Sequence, residues 1–551
     1  VKEVLQSGGS ASQKNDKLWL EAAALFLLAL AIRFVNLDHT ALHDELYHVL
    51  AARSWLDQGV FAIDGGSYTR GSLFTMLVAG FFSVFGESLY VARLPAVIAG
   101  SLLVVVVYLW TRWSMGRPTA LLASLFLIFS PLAIYLSQYA RFYSLQGFVF
   151  ASAAFIFYFL VCSKSLNIVA RTGLLAVVAA LLALGTRLQI ITLVGIAGMA
   201  LWFFCYALYR YLQLPRNLRR PWALLLVAFG GAGLVLLAAI VSGKAAPYLE
   251  LLMASPYWAN AGGGSNSIRF YHYWLLEEYP AFWVLFPLTA VFALVRRPAP
   301  TAFSLTLFVV AFIVHSLAGY KAFRYVGYVM PFLFIVWACA LVEFLPYLRK
   351  QVSRLVDHEI PPLHRLLRPR FQSQLIVSLV AVFLLLATPA FPLAYRMLTR
   401  SDAAWPEGST YRGAADWRTA AEALQDRISE KELLLTTSGV MALYYLGRYD
   451  IEINASNLSE TASATEFSLD HRTGHPVVAS PRSLQVLMSC YPRGVIVAEE
   501  RRFRHAPNIV PLATAELIEK NTVALQLPRQ SKMVAYRWIN DVAESGAKCS
   551  Y

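Results

Sequence analysis

The sequence predicts a polytopic α-helical membrane protein of about eleven transmembrane helices, with juxtamembrane helices in the first external loop and a small α/β domain at the C-terminal end. Three observations carry that prediction. Of the 551 residues, 58% are hydrophobic and 15% charged, whereas a soluble domain averages about 25% charged. Too little polar surface exists to wrap such a chain in water, which excludes a cytosolic enzyme and a disordered protein. The apolar residues collect into separate runs close to the roughly 20 residues a helix needs to cross a bilayer. Beyond residue 394 the composition turns to that of a soluble domain.

Residues 1–17 are polar and read as a disordered cytoplasmic N-terminus, and Leu18–Val35 reads as the first span. Further runs of spanning length lie near 92–111, 119–136, 145–162, 173–186, 189–209, 222–242, 281–295, 301–318, 325–346 and 374–394. Together they make a membrane domain over 18–394, with a first external loop at 36–91 and a large one at 243–280. The apolar segment 71–86 is short and reads as an interfacial or re-entrant helix.

The charges decide that last assignment. With 71–86 not crossing and the N-terminus inside, the cytoplasmic loops hold 19 Lys and Arg against four acids, while the opposite loops hold nine basic and nine acidic residues. Counting 71–86 as a span would move the Arg-rich loops outside, against the positive-inside bias. The formal net charge of +14 is therefore a cytoplasmic collar and not a nucleic-acid surface. The chain reads as a multi-pass protein of the inner (plasma) membrane.

Residues 395–551 read as a periplasmic, or more generally extracytoplasmic, α/β domain. Leu433–Thr437, Ile451–Ile453, Val477–Ala479, Gly494–Ala498 and Met533–Trp538 have strand character, and Val440–Tyr445 starts a helix. Cys162, Cys205 and Cys339 fall in apolar runs as small core residues. Cys490 and Cys549 could pair in an oxidising compartment. Asn454 and Asn457 head two N-x-S sequons, matches that arise often by chance.

The stretch Ala41-Leu-His-Asp-Glu-Leu-Tyr-His-Val-Leu-Ala-Ala-Arg-Ser-Trp-Leu-Asp-Gln-Gly59 is the most informative. Leu46, Val49, Leu50 and Leu56 recur at helical spacing, placing Asp44 and Glu45 at the start of an amphipathic helix on the outer face. An acid there can be no more than a helix cap. Arg70, Arg141, Arg187, Lys321 and Arg324 all map to the external membrane boundary, where the ordinary role of a cation is to reach lipid headgroups. Five of them around one face favour an anionic site. Lys321 and Arg324 lie three apart at the expected start of a helix, with Tyr325 adjoining.

The Asp44-Glu45 stretch resembles the first luminal loop of the GT-C glycosyltransferases, in particular the branch of protein O-mannosyltransferases and the lipid A aminoarabinose transferase. There an Asp-Glu pair opens a juxtamembrane helix that a second short helix follows; here that second helix is 71–86. The likeness continues through Ala92-Arg93-Leu94-Pro95, Ser130-Pro131, Ser137-Gln-Tyr-Ala-Arg-Phe-Tyr-Ser-Leu145, and Lys321-Ala-Phe-Arg-Tyr325 with Pro331. Ser67-Tyr-Thr-Arg-Gly-Ser-Leu73 departs from the family pattern, and Tyr139 stands where some relatives carry an acid, which leaves Asp44 as the base.

The resemblance implies transfer of a sugar from a polyprenyl-phosphate donor to an acceptor hydroxyl on the outer side. Asp44 would deprotonate the acceptor, with Glu45 orienting acceptor or base. With no covalent nucleophile, the anomeric centre inverts. Arg70, Arg141, Arg187, Lys321, Arg324 and Tyr325 would hold the departing phosphate, and Tyr47, His48, Tyr68, Tyr143, Arg269 and His272 would contact substrate. Pro256–Trp274, with glycines 262–264, reads as an aromatic, adaptable loop.

No cofactor is expected. His43, Asp44, Glu45 and His48 include an i, i+4 pair, Asp44 and His48, but lack a His-Glu-x-x-His arrangement, so a divalent metal is not favoured. The acceptor stays open among an envelope glycolipid, a glycan and a protein. A transporter or flippase for a lipid-linked substrate is the alternative, and it would need ionisable groups near mid-membrane, where these runs carry almost none.

Overall fold

The computed structural model describes residues 8–163, 165–215, 217, 219–244, 246, 250, 267–359, 415–458 and 467–540. The expected span at 374–394, residues 256–266 of the aromatic loop, and Cys549 lie outside the described residues.

Helix α1 (Gly8–Phe34) begins ahead of the expected start at Leu18 and takes in residues 8–17 of the expected N-terminal segment, whose residues 1–7 lie outside the described residues. Two of its charges, Glu21 and Arg33, have partners on other helices. Glu21 accepts hydrogen bonds from Tyr108 and, at 2.7 Å, from Arg117. Arg33 donates to Ser137 Oγ at 3.0 Å.

The segment expected to form the first external loop holds α2 (His43–Gln58), a hairpin of β1 (Ala62–Ile63) and β2 (Gly66–Ser67), and α3 (Ser72–Phe85). At 14 residues, α3 spans about 21 Å, short of a ~30 Å hydrocarbon core. Its length is consistent with the non-crossing helix expected from the charge pattern. On α2, Leu46, Val49 and Leu50 are buried as their spacing predicts, while Leu56 is exposed.

Next come α4 (Leu89–Met115), α5 (Arg117–Ile128), α6 (Pro131–Ser137), α7 (Tyr143–Cys162), α8 (Ile168–Leu188), α9 (Thr192–Gln213) and α10 (Arg220–Val241). The single span expected at 119–136 is in fact α5 and α6, bent by 62°. Pro131 opens α6 after Ser130, whose Oγ accepts from the Ala133 amide at 3.3 Å. The expected span at 281–295 is likewise divided. After α11 (Phe270–Glu278), it comprises α12 (Pro280–Val284) and α13 (Phe286–Arg296), with a proline at the start of each.

Then follow α14 (Pro298–Leu317), a 3-10 turn at Phe323–Tyr325, and α15 (Met330–Glu359). Lys321 and Arg324 thus lie in the connection ahead of α15, not on its first turn as expected. Among the described residues, six helices are long and apolar enough to cross a membrane, or seven if the bent pair is one span, against the eleven expected. Charged interruptions in α1 and the broken helices account for part of the difference.

The C-terminal domain contains α16 (Trp417–Leu424), β3 (Leu433–Thr436), α17 (Gly439–Leu446), β4 (Ile451–Ile453), β5 (Ser468–Leu469), β6 (Pro476–Val478), α18 (Pro481–Cys490), β7 (Arg493–Glu499), α19 (Glu500–His505), α20 (Leu512–Asn521), β8 (Val523–Leu525) and β9 (Met533–Ile539). Its seven strands order as β5-β6-β4-β3-β7-β9-β8. The centre β6-β4-β3-β7 is parallel, and β5, β9 and β8 add antiparallel edges. The five strands read from sequence are present to within a residue or two; the two short edge strands carry too few residues to show a period.

This domain sits on the first external loop. The Ala41 amide donates to Tyr445 Oη at 2.9 Å, and Arg418 pairs with Asp38 at 3.3 Å. Trp417, Val440, Met441 and Tyr449 belong to the same apolar cluster as α2 and the membrane helices. Cys339 is buried as expected, whereas Cys205 lies on the outer surface of the bundle. Cys490 is disulfide-bonded. Both sequon asparagines are engaged structurally: the Asn454 and Asn457 amides donate to Glu452 Oε1 at 2.8 and 3.4 Å.

Candidate active site

The start of α2 decides where its two acids point. Glu45 is three residues into the helix and reaches back to accept from the Leu42 amide at 2.8 Å, a capping arrangement. Its oxygens also accept from Arg93 Nη2 at 2.6 Å, Arg93 Nε at 3.1 Å and the Ala140 amide at 2.9 Å. Both side chains of the Arg93–Glu45 pair are fully buried. Burial pushes the Glu45 carboxyl up, but Arg93 outweighs it and holds the group below the ordinary glutamate value. With every oxygen engaged by protein, Glu45 does not face substrate. Of the two roles expected of it, orienting acceptor or base, this geometry suits the second, through the start of α2.

Asp44 emerges on the other side. Its backbone carbonyl accepts from Arg141 Nη1 at 2.7 Å, and its Oδ2 lies 3.5 Å from Arg324 Nη2. His43 Nδ1 is 3.6 Å from Oδ1. Burial raises the Asp44 carboxyl, but Arg141, the His43 ring and Arg324 together hold it well below the ordinary aspartate range. The side chain keeps 33% of its surface open. An ionised, accessible carboxylate is what a general base requires.

Asp44 lies on a cleft of about 430 Å³. The membrane domain lines it with Asp44, Tyr47, Tyr68, Arg70, Arg141, Tyr320, Arg324 and Tyr325, and the C-terminal domain adds His471 and Arg472. Arg141 is 2% exposed, donates to Tyr68 Oη at 3.1 Å, and comes from the short segment between α6 and α7. The break after Ile128 therefore has a use, because an unbroken span would not deliver Arg141 beside α2. Arg324 packs over the rings of Tyr143 and Tyr325 at 5.9 and 5.6 Å. The Nε atoms of both arginines are buried and, among the described residues, lack a hydrogen-bond partner, as does Tyr143 Oη. A buried donor left unpaired is costly; donors converging beside a cleft fit an anionic oxygen.

The other expected residues divide. Tyr47 lines the cleft and stacks on Tyr68 at 5.0 Å. His48 does not reach it: its Nδ1 shares a hydrogen bond with Thr75 Oγ1 at 2.8 Å, and its ring meets Tyr68, Phe74 and Phe142 edge-on. Burial, with Arg141 and Arg70 nearby, holds His48 well below its ordinary value and hence neutral. Lys321 donates to the Ala318 carbonyl at 2.5 Å and does not line the cleft. Arg187, Arg269 and His272 are exposed and are absent from its lining; Trp283 Nε1 donates to His272 Nδ1 at 2.7 Å.

Among the described residues, no three His, Cys, Asp or Glu side chains converge. The expected sharing of a helix face by Asp44 and His48 ends in different partners. Sequence reasoning missed Tyr320, His471 and Arg472. Tyr320 adjoins Lys321 and was within reach of the motif; nothing in residues 467–475 taken alone connects them to a loop some 400 positions away.

No family model and no curated protein matches the sequence. Solved structures do. ArnT from Cupriavidus metallidurans bound to undecaprenyl phosphate aligns with a TM-score of 0.56 at 15% identity, over 95% of this chain and 99% of that one. Its apo state aligns at 0.57 and 16% identity, over 98% and 100%. The archaeal oligosaccharyltransferase AglB from Archaeoglobus fulgidus, in complex with an inhibitory peptide and a dolichol-phosphate, aligns at 0.60 and 14%, over 92% and 73%. At such identities the likeness is one of fold, and it runs through both the membrane helices and the C-terminal domain. The chain has the fold of the GT-C membrane glycosyltransferases.

Proposed function

We propose that the protein is an inverting glycosyltransferase that moves a sugar from a polyprenyl phosphate to an acceptor hydroxyl on the extracytoplasmic side of the membrane. The acceptor is an envelope glycolipid, a glycan or a protein. The observation that carries this reading is the Asp44 carboxyl held beside Arg141 and Arg324, whose buried Nε atoms have no acceptor among the described residues. Undecaprenyl phosphate on ArnT and dolichol-phosphate on AglB, proteins of the same fold, give it the lipid carrier.

In this mechanism the acceptor hydroxyl gives its proton to the Asp44 carboxylate as its oxygen bonds to the sugar C1. The C1–O bond to phosphate breaks on the opposite face, and the lipid phosphate leaves with an added negative charge. Arg141 and Arg324, with Arg70 at the rim, stabilise that charge in a site where little water competes. The same two arginines keep Asp44 ionised in the resting enzyme. The reaction as proposed needs no cofactor, because the carboxylate is balanced by guanidinium groups; EDTA treatment should leave turnover intact, and loss restored by manganese or magnesium would reverse this point.

The decisive experiment supplies radiolabelled polyprenyl-phosphate sugars to membranes carrying wild type or Asp44→Asn. The substitution should lower transfer by about 10²–10⁴-fold. Transfer at the wild-type rate would end the proposal.

A further inference from the structure

The cleft is not a property of the membrane domain alone. Loop 470–474 of the C-terminal domain runs against the β1–β2 hairpin through two backbone hydrogen bonds: the Gly65 amide donates to the Thr473 carbonyl at 3.1 Å and the Ser67 amide to the His471 carbonyl at 3.2 Å. The contact is made backbone to backbone. A Cβ on Gly66 would lie 2.3 Å from the Arg472 carbonyl carbon, and one on Gly474, at φ +75°, would lie 2.5 Å from Gly65. Tyr449 Oη donates to Thr473 Oγ1 at 2.7 Å, and His475 pairs with Asp64 at 2.6 Å.

This scaffold holds the Arg472 guanidinium 5.2 Å from the centre of the Tyr47 ring, in the wall of the cleft. Its Nε donates to Asp470 Oδ1 at 3.1 Å and its Nη2 to Asn457 Oδ1 at 3.3 Å. Among the described residues nothing accepts from its Nη1. The stacked rings of Tyr47 and Tyr68 stand between Arg472 and Arg141, which donates to Tyr68. Two carboxylates face this side, Asp470, which pairs with Arg472, and Glu452, whose Oε1 is occupied by Asn454 and Asn457. Over the cleft as a whole, four arginines meet one lining carboxylate, more positive charge than one phosphodiester neutralises.

We propose that Arg472 is a specificity-determining residue: with Tyr47 it forms an acceptor subsite, separate from the donor-phosphate site at Arg141 and Arg324, that takes an oxyanion carried by the acceptor, phosphate or carboxylate. The proposal rests on the glycosyltransferase reading and narrows its acceptor to anionic molecules. Fixing a guanidinium through Nε and Nη2 orients the remaining N–H groups in advance, so little freedom is lost when an oxyanion docks.

Full-length protein is titrated first with undecaprenyl phosphate, then, lipid-loaded, with N-acetylglucosamine 1-phosphate, glucuronate and neutral N-acetylglucosamine. Wild type is compared with Arg472→Gln and Arg324→Gln. The loaded wild type should bind at least one anionic probe about tenfold or more tightly than N-acetylglucosamine, the usual effect of a charge-assisted hydrogen bond. Whether the phosphate or the carboxylate probe is preferred identifies the oxyanion. Arg472→Gln should erase the preference with undecaprenyl-phosphate affinity unchanged, which also certifies its fold; Arg324→Gln should do the reverse. Equal binding of charged and neutral probes by wild type, or a preference that survives Arg472→Gln, overturns the subsite. Failure of wild type to bind undecaprenyl phosphate is a separate outcome that ends the donor reading, and the three probes on lipid-free protein then still decide whether Arg472 holds an oxyanion.

Discussion

At the scale of single residues, the adjacent acids Asp44 and Glu45 do different work because successive side chains on a helix diverge by about 100°. Glu45 turns inward to Arg93, and Asp44 turns to the cleft. The depressed pKa of Asp44 has a testable sign. A base works only when ionised, so a lowered pKa keeps it active toward acid, and the acid limb of kcat/KM should fall below the ordinary aspartate value. Arg324→Gln removes one of the charges that lower it, so that limb should move to higher pH while the donor KM rises. An unmoved limb would show that Arg324 does not sense Asp44. Lys321→Ala should raise the donor KM less than Arg324→Gln, since Lys321 is turned to the Ala318 carbonyl.

At the scale of elements, α2 is held by a buried ion pair and by a close approach of backbone to ring. Arg93→Leu strands the Glu45 carboxylate, and breaking such a pair from one side costs about 3–5 kcal/mol, to be read as a lowered Tm in detergent. The folded-state pKa of Glu45 is depressed, so its contribution is present above the ordinary glutamate value and is lost as pH falls through the lower, folded one. The bend into α3 depends on Gly71, at φ +64°, where a Cβ would stand 2.5 Å from the Phe142 ring. Gly71→Ala should therefore lower Tm and also disturb Arg141, the neighbour of Phe142. A variant with wild-type Tm and activity would contradict the close packing.

At the scale of the whole molecule, the C-terminal domain completes the cleft, and its loop 470–474 approaches the hairpin backbone closely at Gly66 and Gly474. Gly66→Val should push loop 470–474 off the hairpin. Hydrogen exchange should then quicken at the Gly65 and Ser67 amides, which now bond to Thr473 and His471, while the spans keep their protection. Unchanged exchange at those two amides would show that the contact is dispensable.

The sequence by itself determined that the chain is a helical membrane protein with a C-terminal sheet domain, and it singled out Asp44 as the candidate base. Composition, charge placement and the short reach of 71–86 act locally or by simple addition, so one chain suffices to read them. The motif around Asp44 and the cations Arg70, Arg141 and Arg324 were legible for the same reason, each lying at a predictable membrane boundary. Tertiary structure alone decided that Glu45 is internal, that His48 belongs to a packed aromatic cluster, and that 119–136 and 281–295 are broken. It also decided that Arg472 meets Tyr47. Those outcomes depend on which distant partner satisfies a buried charge or fills a contact, and hydropathy and spacing carry no information about partners hundreds of residues away.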